Sequence, residues 1–249
     1  MVATAPLDIP VIEPSSCVQE FLQSPRQIFI NGKWQDAKFV LAHNTGTSAI
    51  QAALYALGVR AGDEVVCQSA TYWASAAPAL SLGATVRFVD INANTLCIDP
   101  SDLRHRLTPR TKVLIVVHNF GHPADMDAIL AITEPLGIAV LEDVSHAHGG
   151  RYKGKKLGTF GAAAAMSVMS GKALPAGEGG VLVTNDRSIY ENALSWGHYL
   201  RGQEELTDPC LQRSSGIPLG GCKYRMQQLN SAIASVQLRH FDFRERRIR

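Results

Sequence analysis

From Lys38 to Asp143 the sequence alternates short, continuously apolar runs with stretches whose apolar residues recur at helical spacing. No other feature narrows the fold as far. "KFVLAHNTG" reads as a buried strand entering a turn, and "TSAIQAALYALGV" as a helix stopped near Gly58. "EVVCQ", "TVRFVD", "KVLIVVH" and "AVLED" read as further strands. "ASAAPALSLG", "DPSDLRHRL" and "DMDAILAITEPLG" read as the helices between them, the second opened by a cap-type Asp or Ser. Strands apolar on both faces, alternating with helices, predict an α/β fold with a largely parallel sheet covered on both faces. Beyond residue 150, "AAAAMSVM" and "GGVLVTN" predict two more strands flanking a lysine loop. "DRSIYENALSWGHYL" predicts a helix, residues 203–222 a loop, and "YRMQQLNSAIASVQLRHFDFRERRIR" one long amphipathic helix. Residues 1–40, broken by Pro6, Pro10, Pro14 and Pro25, predict an irregular segment.

In such sheets ligands bind at the carboxyl ends of the strands, so the residues after each strand hold the chemistry. "NTGTS", Asn44 to Ser48, joins a strand to a helix. Small residues, hydroxyls and a helix N-terminus suit a phosphate there. The same stretch also reads as an ordinary Gly/Thr/Ser turn with an N-cap. Tyr72 and Trp73 follow the next strand, where a ring either stacks on a flat ligand or fills the core. Glu142 and Asp143 close an apolar strand, and a buried carboxylate is costly unless it meets a cation. His146 and His148 lie close behind. Two His and an Asp suggest a metal, but no helix aligns them and no third ligand stands out, so no metal is expected. Lys172 sits in "SVMSGKALPAGEGG", among Ala, Val, Met, Ser and Gly. Burial there would lower its pKa and leave a neutral amine that attacks carbonyls. A solvated loop lysine is the alternative. The "GEGG" run allows a close backbone approach to a ligand. Together these pieces suit a phosphate, a flat ring, a ring nitrogen wanting a carboxylate and an aldehyde wanting an amine. Pyridoxal phosphate has all four.

Composition removes other classes. At 46% apolar the 249 residues can bury a sizeable core, which a disordered chain cannot do. A formal charge of +2 gives no reason to expect nucleic acid or a membrane surface as partner. No window of about 18 apolar residues offers a membrane span. The start has neither the basic nor the apolar region of a signal peptide. Five widely spaced cysteines without a CxxC pair suggest reduced thiols in the cytoplasm.

The ordered set "NTGTSAIQAAL", "TYWASAAPALSLGATVRFVDIN", "GHPADMDAI", "EDVSHAHGG", "SGKALPAGEGGVLVTND" and "KYRMQQLNSAIASVQL" resembles the DegT/DnrJ/EryC1/StrS family. Its members are pyridoxal-phosphate-dependent aminotransferases, mostly acting on keto-sugars or keto-cyclitols. The resemblance implies a fold-type-I large domain, a three-layer αβα sandwich around a mixed, mostly parallel seven-stranded sheet. It implies that Lys172 forms the Schiff base with the cofactor and that Asp143 pairs with the pyridinium nitrogen. His146 would stand near the ring hydroxyl and Tyr72 would stack on the ring. Gly46, Thr47 and Ser167 would contact the phosphate, with Ser48 in the same loop. Lys223 stands where the family usually has an Asn that reaches the phosphate of a partner subunit, because members are usually homodimers with shared sites. Glu or Gln would donate the amino group.

The same resemblance divides the chain into an irregular segment (1–40), a cofactor-binding large domain (41–236) and the truncated end of a long helix (237–249). The resemblance implies that a smaller C-terminal domain would follow that helix, inside which this sequence stops at Arg249, as a fragment, a truncated product or a reduced protein would. Two other readings follow. One is a non-catalytic, cofactor-binding relative that partners a full-length aminotransferase, which the missing domain and Lys223 favour. The other is a sugar dehydratase of the same fold; those typically lack the lysine, so Lys172 argues against it.

Overall fold

Thr111–Val117 (TKVLIVV) is buried at six of its seven positions. A strand this apolar needs cover on both faces, and it lies inside a seven-stranded sheet. The computed structural model describes residues 28–30, 33–35, 38–198, 202–217 and 222–248. A short antiparallel hairpin, β1 (Ile28–Ile30) and β2 (Lys33–Gln35), comes first. The sheet then takes β3 (Phe39–His43), β4 (Glu64–Gln68), β5 (Thr85–Val89), β6 (Thr111–Val117), β7 (Ala139–Asp143), β10 (Ala163–Ser167) and β11 (Gly180–Thr184). Between β7 and β10 a second small hairpin, β8 (Arg151–Tyr152) and β9 (Lys155–Lys156), projects from the sheet.

Strand order is β3-β11-β10-β7-β6-β4-β5. Only β11 runs against its neighbours; the pairs from β10 to β5 are all parallel. The mixed, mostly parallel seven-stranded sheet is therefore the one expected. After β5 the chain returns to the other side of β4, so the order reverses between β4 and β6. Such a switch point opens a crevice at the carboxyl ends of the strands.

Alternation along the strands splits the core in two. Val65, Cys67, Val113, Ile115, Val117 and Leu141 face one side. There they meet α1 (Gly46–Ala56), α2 (Ala77–Ser81) and α5 (Arg187–Gly197). Val66, Leu114, Val116 and Val140 face the other side, with α3 (Pro100–Arg106) and α4 (Met126–Thr133). Successive side chains of a strand point to opposite faces, which is why both layers form from one apolar run. Small residues let α1 lie close to the sheet: Ala49, Ala52 and Ala53 are fully buried. The helix packs across β10 and β11 and against α5.

Several expectations need correction. The hairpin β1–β2 occupies part of the segment expected to be irregular. Its register pairs Ile30 with Lys33, and Asn31-Gly32 is the kind of dipeptide that favours a two-residue hairpin turn. The rest of residues 1–37 lies outside the described residues. "ASAAPALSLG" is not one helix: a 3₁₀ turn at Trp73–Ser75 precedes α2, where Pro78 takes a first-turn position. Residues 203–222 are not all loop, because a 3₁₀ turn at Gln203–Glu205 and α6 (Pro209–Arg213) lie within them. Asp208 caps α6 by accepting the Cys210 and Leu211 amides. The long amphipathic helix is two helices, α7 (Gln228–Arg239) and α8 (Phe241–Ile248), broken at His240. The Leu238 and Phe241 side chains on either side of the break pack on Val168, Leu174 and Ala176, the walls of the lysine loop. Among the described residues no helix is long and apolar enough to cross a membrane.

Candidate active site

The first helix opens with a capping box. The Thr45 hydroxyl oxygen accepts the Ser48 N–H at 3.0 Å, and the Ser48 Oγ accepts the Thr45 N–H at 3.2 Å. The amides of Gly46 and Thr47, at the first two positions, have no intrahelical carbonyl to bind. Both residues line a cavity of 640 Å³ at the carboxyl ends of the strands, with Ser167 beside them. A Cβ on Gly46 would fall 2.7 Å from the Ser167 Cβ, so glycine lets the start of α1 abut the end of β10. Ser48 is different. Its hydroxyl lies 2.6 Å from Asn44 Oδ1, the residue is buried, and it is not part of the cavity wall. Of the expected phosphate contacts, Gly46, Thr47 and Ser167 come together, while Ser48 closes the helix cap.

Asp143 ends β7 between Val117 of β6 and Ala165 of β10. It is 4% exposed and lines the cavity. Its Oδ2 accepts the Ser75 hydroxyl at 2.8 Å and its Oδ1 accepts the Ser145 N–H at 3.0 Å. Among the described residues it has no ion-pair partner. Burial and the nearby Asp143 charge push the Cys67 thiol up to about 12, so it stays protonated. Glu142, its neighbour in sequence, points to the opposite face. There it accepts the His118 Nε2–H at 3.1 Å and the amides of Gly158, Phe160 and Gly161 at 2.7–2.8 Å. His118 Nδ1 accepts the Ala124 N–H, which places its proton on Nε2. Glu142 therefore staples the loop after β9 and takes no part in the cavity.

His146 lines the cavity and its ring lies parallel to Phe120, 5.8 Å between centroids. Burial first, and the Lys172 charge second, hold its imidazole below the usual value. His148 turns away from the cavity. Its Nδ1 accepts the Leu174 N–H at 3.2 Å, two residues beyond Lys172, and burial with the Lys172 charge lowers it to about 4. The two histidines thus do not converge with Asp143 as metal ligands would.

Lys172 sits half-buried in the loop between β10 and β11, its amide bonded to the Met169 carbonyl at 2.9 Å. It shares the cavity wall with Asp143, His146, Ser167 and Glu178. Its position lies between the two expected, the apolar pocket and the solvated loop, with charged groups beside it. The glycine run also differs from expectation. A Cβ on Gly179 would meet Met226 and Val168, and one on Gly180 would meet Thr45. Both glycines are needed for close packing against the protein itself, while Glu178 beside them lines the cavity.

Tyr72 and Trp73 are 60% and 64% exposed, so neither fills the core. Tyr72 lines the cavity, with Trp73 against it at 5.3 Å. Phe120, 77% exposed in a left-handed conformation (φ 50°), adds a third ring against His146. Lys223 is exposed and is not part of this cavity's wall. Sequence reasoning missed Thr71, Ser75 and Ser145, while Thr45 lies in the loop it singled out. For Ser145 a signal existed: a residue two places beyond an Asp is where an Asx turn delivers its amide.

A model of the DegT/DnrJ/EryC1/StrS aminotransferase family matches residues 32–249. GDP-perosamine synthase of Escherichia coli O157:H7 is 37% identical over 199 residues, covering 80% of this chain and 52% of that protein. L-glutamine:2-deoxy-scyllo-inosose aminotransferase of Micromonospora echinospora is 40% identical over 150 residues, covering 60% and 36%. Among solved structures, E. coli GDP-4-keto-6-deoxy-D-mannose-3-dehydratase with bound hydrated PLP matches with a TM-score of 0.74 at 26% identity, covering 82% of this chain and 56% of that one. The chain spans about half the length of the first relative and about a third of the second. Family model, strand order and the ordered motifs agree: the chain belongs to the DegT/DnrJ/EryC1/StrS aminotransferase family.

Proposed function

We propose that this chain forms the cofactor-binding part of a pyridoxal-phosphate-dependent aminotransferase that moves an amino group from glutamate or glutamine to a keto-sugar or keto-cyclitol. One observation carries the reading: Lys172 and Asp143, 29 positions apart in sequence, line one cavity into which the N-terminus of α1 opens. The residues present fit the cofactor. Asp143 is a buried carboxylate without an ion-pair partner among the described residues, as a protonated ring nitrogen requires. The Gly46 and Thr47 amides suit a phosphate at a helix N-terminus. At 640 Å³ the cavity falls within the range of cofactor sites and leaves room for a substrate.

When bound, pyridoxal phosphate supplies the aldehyde that condenses with the Lys172 amine and a ring that accepts electrons from the reacting carbon. Gly46, Thr47 and Ser167 would bind the phosphate. Asp143 would hold the proton at the ring nitrogen, Tyr72 would cover a face of the ring and His146 would stand beside the ring hydroxyl. Lys172 Nζ would hold the cofactor's aldehyde and, as a free amine, would move a proton within the cavity.

A second copy of the chain completes the assembly. Leu229, Ile233 and Val236 lie exposed at i, i+4 and i+7 of α7, a row that a partner would cover. Lys223, outside its own cavity, would serve the partner's phosphate as a point charge. The unpaired thiols of Cys67, Cys97, Cys210 and Cys222 suit the cytoplasm.

The test is covalent capture. After incubation with pyridoxal phosphate and borohydride, peptide mapping should find the label on Lys172, and Lys172→Ala should take up none. A wild-type chain without label at Lys172 overturns the reading. A labelled chain that moves no amino group from glutamine or glutamate to any keto-sugar or keto-cyclitol offered would instead be the cofactor-binding partner of another aminotransferase.

A further inference from the structure

We propose that Ser75, backed by Thr71, is the positioning residue for Asp143: it sets the carboxylate's orientation and so its grip on the ring nitrogen of the cofactor. The inference rests on the reading of Asp143 given above. Ser75 is 3% exposed and Asp143 4% exposed, and the Ser75 Oγ–Asp143 Oδ2 distance is 2.8 Å. A carboxylate without a proton only accepts, so the single hydroxyl proton of Ser75 goes to Asp143. The 3.2 Å contact between Thr71 Oγ1 and Ser75 Oγ then has one direction, with Thr71 as donor. Two hydroxyls in series thus point their protons toward Asp143, and hydrogen bonds in a chain strengthen one another.

The other oxygen is held as firmly. Ser145 N–H donates to Oδ1 at 3.0 Å, from a residue two places along the same chain. One bond comes from the segment after β4, two strands away across β6, and the other from the turn that directly follows Asp143 itself. They fix the carboxyl rotation, and the lone pairs left over are those available to the cavity. Ser75 also ends the 3₁₀ turn that starts at Trp73, and its own amide bonds the Tyr72 carbonyl at 3.0 Å. One tight turn therefore places both the ring of Tyr72 in the cavity wall and the hydroxyl under Asp143. At metal sites, groups that orient a ligating side chain from behind change affinity by about 10- to 100-fold when removed, and the lower end of that range is the scale expected here.

Two ligands separate this role from simple packing: pyridoxal phosphate, and its analogue with a CH in place of the ring nitrogen. Calorimetry gives both dissociation constants for wild type and for Ser75→Ala. Wild type should prefer the natural cofactor, and Ser75→Ala should lower that preference by about tenfold while binding of the CH analogue changes little. Ser75→Cys, of similar size with a weak donor, gives the same readout should the alanine variant not fold. A variant that keeps the wild-type preference, including one that weakens both ligands equally, overturns the role of Ser75. A wild type that binds the two ligands equally overturns the reading of Asp143 itself, which is a different result from the first.

Discussion

Gly180 and Thr45 meet backbone to backbone, so close that a Cβ at position 180 would fall 2.1 Å from the Thr45 carbonyl oxygen. Gly180 opens β11, paired with His43 of β3, and Thr45 caps α1. The contact therefore sets where the helix N-terminus sits over the end of the sheet. Gly180→Ala should destabilise the chain by about 2–3 kcal/mol, because the obstacle is backbone that cannot rotate away. It should also weaken binding of pyridoxal phosphate, since Thr45 carries Gly46 and Thr47 with it. Urea unfolding and a cofactor titration on the same variant check both parts. Wild-type stability would show that the two segments can part without cost.

Glu142 and Asp143 are adjacent in sequence and opposite in role. Glu142 is wholly buried and receives one imidazole N–H and three backbone amides. Glu142→Gln replaces one acceptor oxygen with a donor facing donors. It should cost about 2–4 kcal/mol of stability and leave the preference for the natural cofactor over its CH analogue unchanged. Denaturant melts and the paired titration measure the two effects. A loss of that preference without a loss of stability would place Glu142 in the cofactor site.

How much could be read in advance follows from what each signal depends on. The sheet was legible because strands buried on both faces need apolar residues on both, and β4, β6 and β7 carry them at consecutive central positions, Val65–Cys67, Val113–Val117 and Ala139–Leu141. The break at His240 was not, because apolar residues continue through Leu238, Phe241 and Phe243 and hide the change of direction. Lys172, Asp143 and Tyr72 were legible as chemical groups at strand ends. Ser75 was not, because its hydroxyl gains its meaning from a carboxylate 68 residues away. Glycine runs and Gly/Thr/Ser loops look alike whether they approach a ligand or the protein's own backbone. Gly179, Gly180 and Ser48 are placed for packing and capping, while Glu178 of the same run lines the cavity.

Ser48 offers a direct test of that distinction. Its hydroxyl accepts the Thr45 amide within the capping box. Ser48→Ala should lower stability by about 0.5–1 kcal/mol, the usual range for a lost cap. Its dissociation constant for pyridoxal phosphate should stay close to wild type. An affinity loss larger than the stability loss would return Ser48 to the phosphate site.

Acid should destabilise the chain before its carboxylates titrate. Burial lowers His43, His146, His148 and His198 from their ordinary value of 6.5, His148 to about 4. His43 is fully buried with both ring nitrogens unpartnered among the described residues, its ring edge-on to His198. A histidine with a depressed folded pKa binds fewer protons folded than unfolded, so stability rises with pH in that interval. The contribution is complete above pH 6.5 and is lost as pH falls through the folded values. Unfolding free energy should therefore drop steadily from pH 6.5 to 5, a window above the carboxylates that hydrogen bonds hold low, such as Glu64 and Asp125. His43→Phe keeps an aromatic ring and cannot take up a proton. It should flatten the slope across that window by up to one proton, and it should do so without altering cofactor affinity at pH 7.5. Urea titrations at four or five pH values give the slope directly, and a variant with the wild-type slope would remove His43 from the group that makes the fold acid-sensitive.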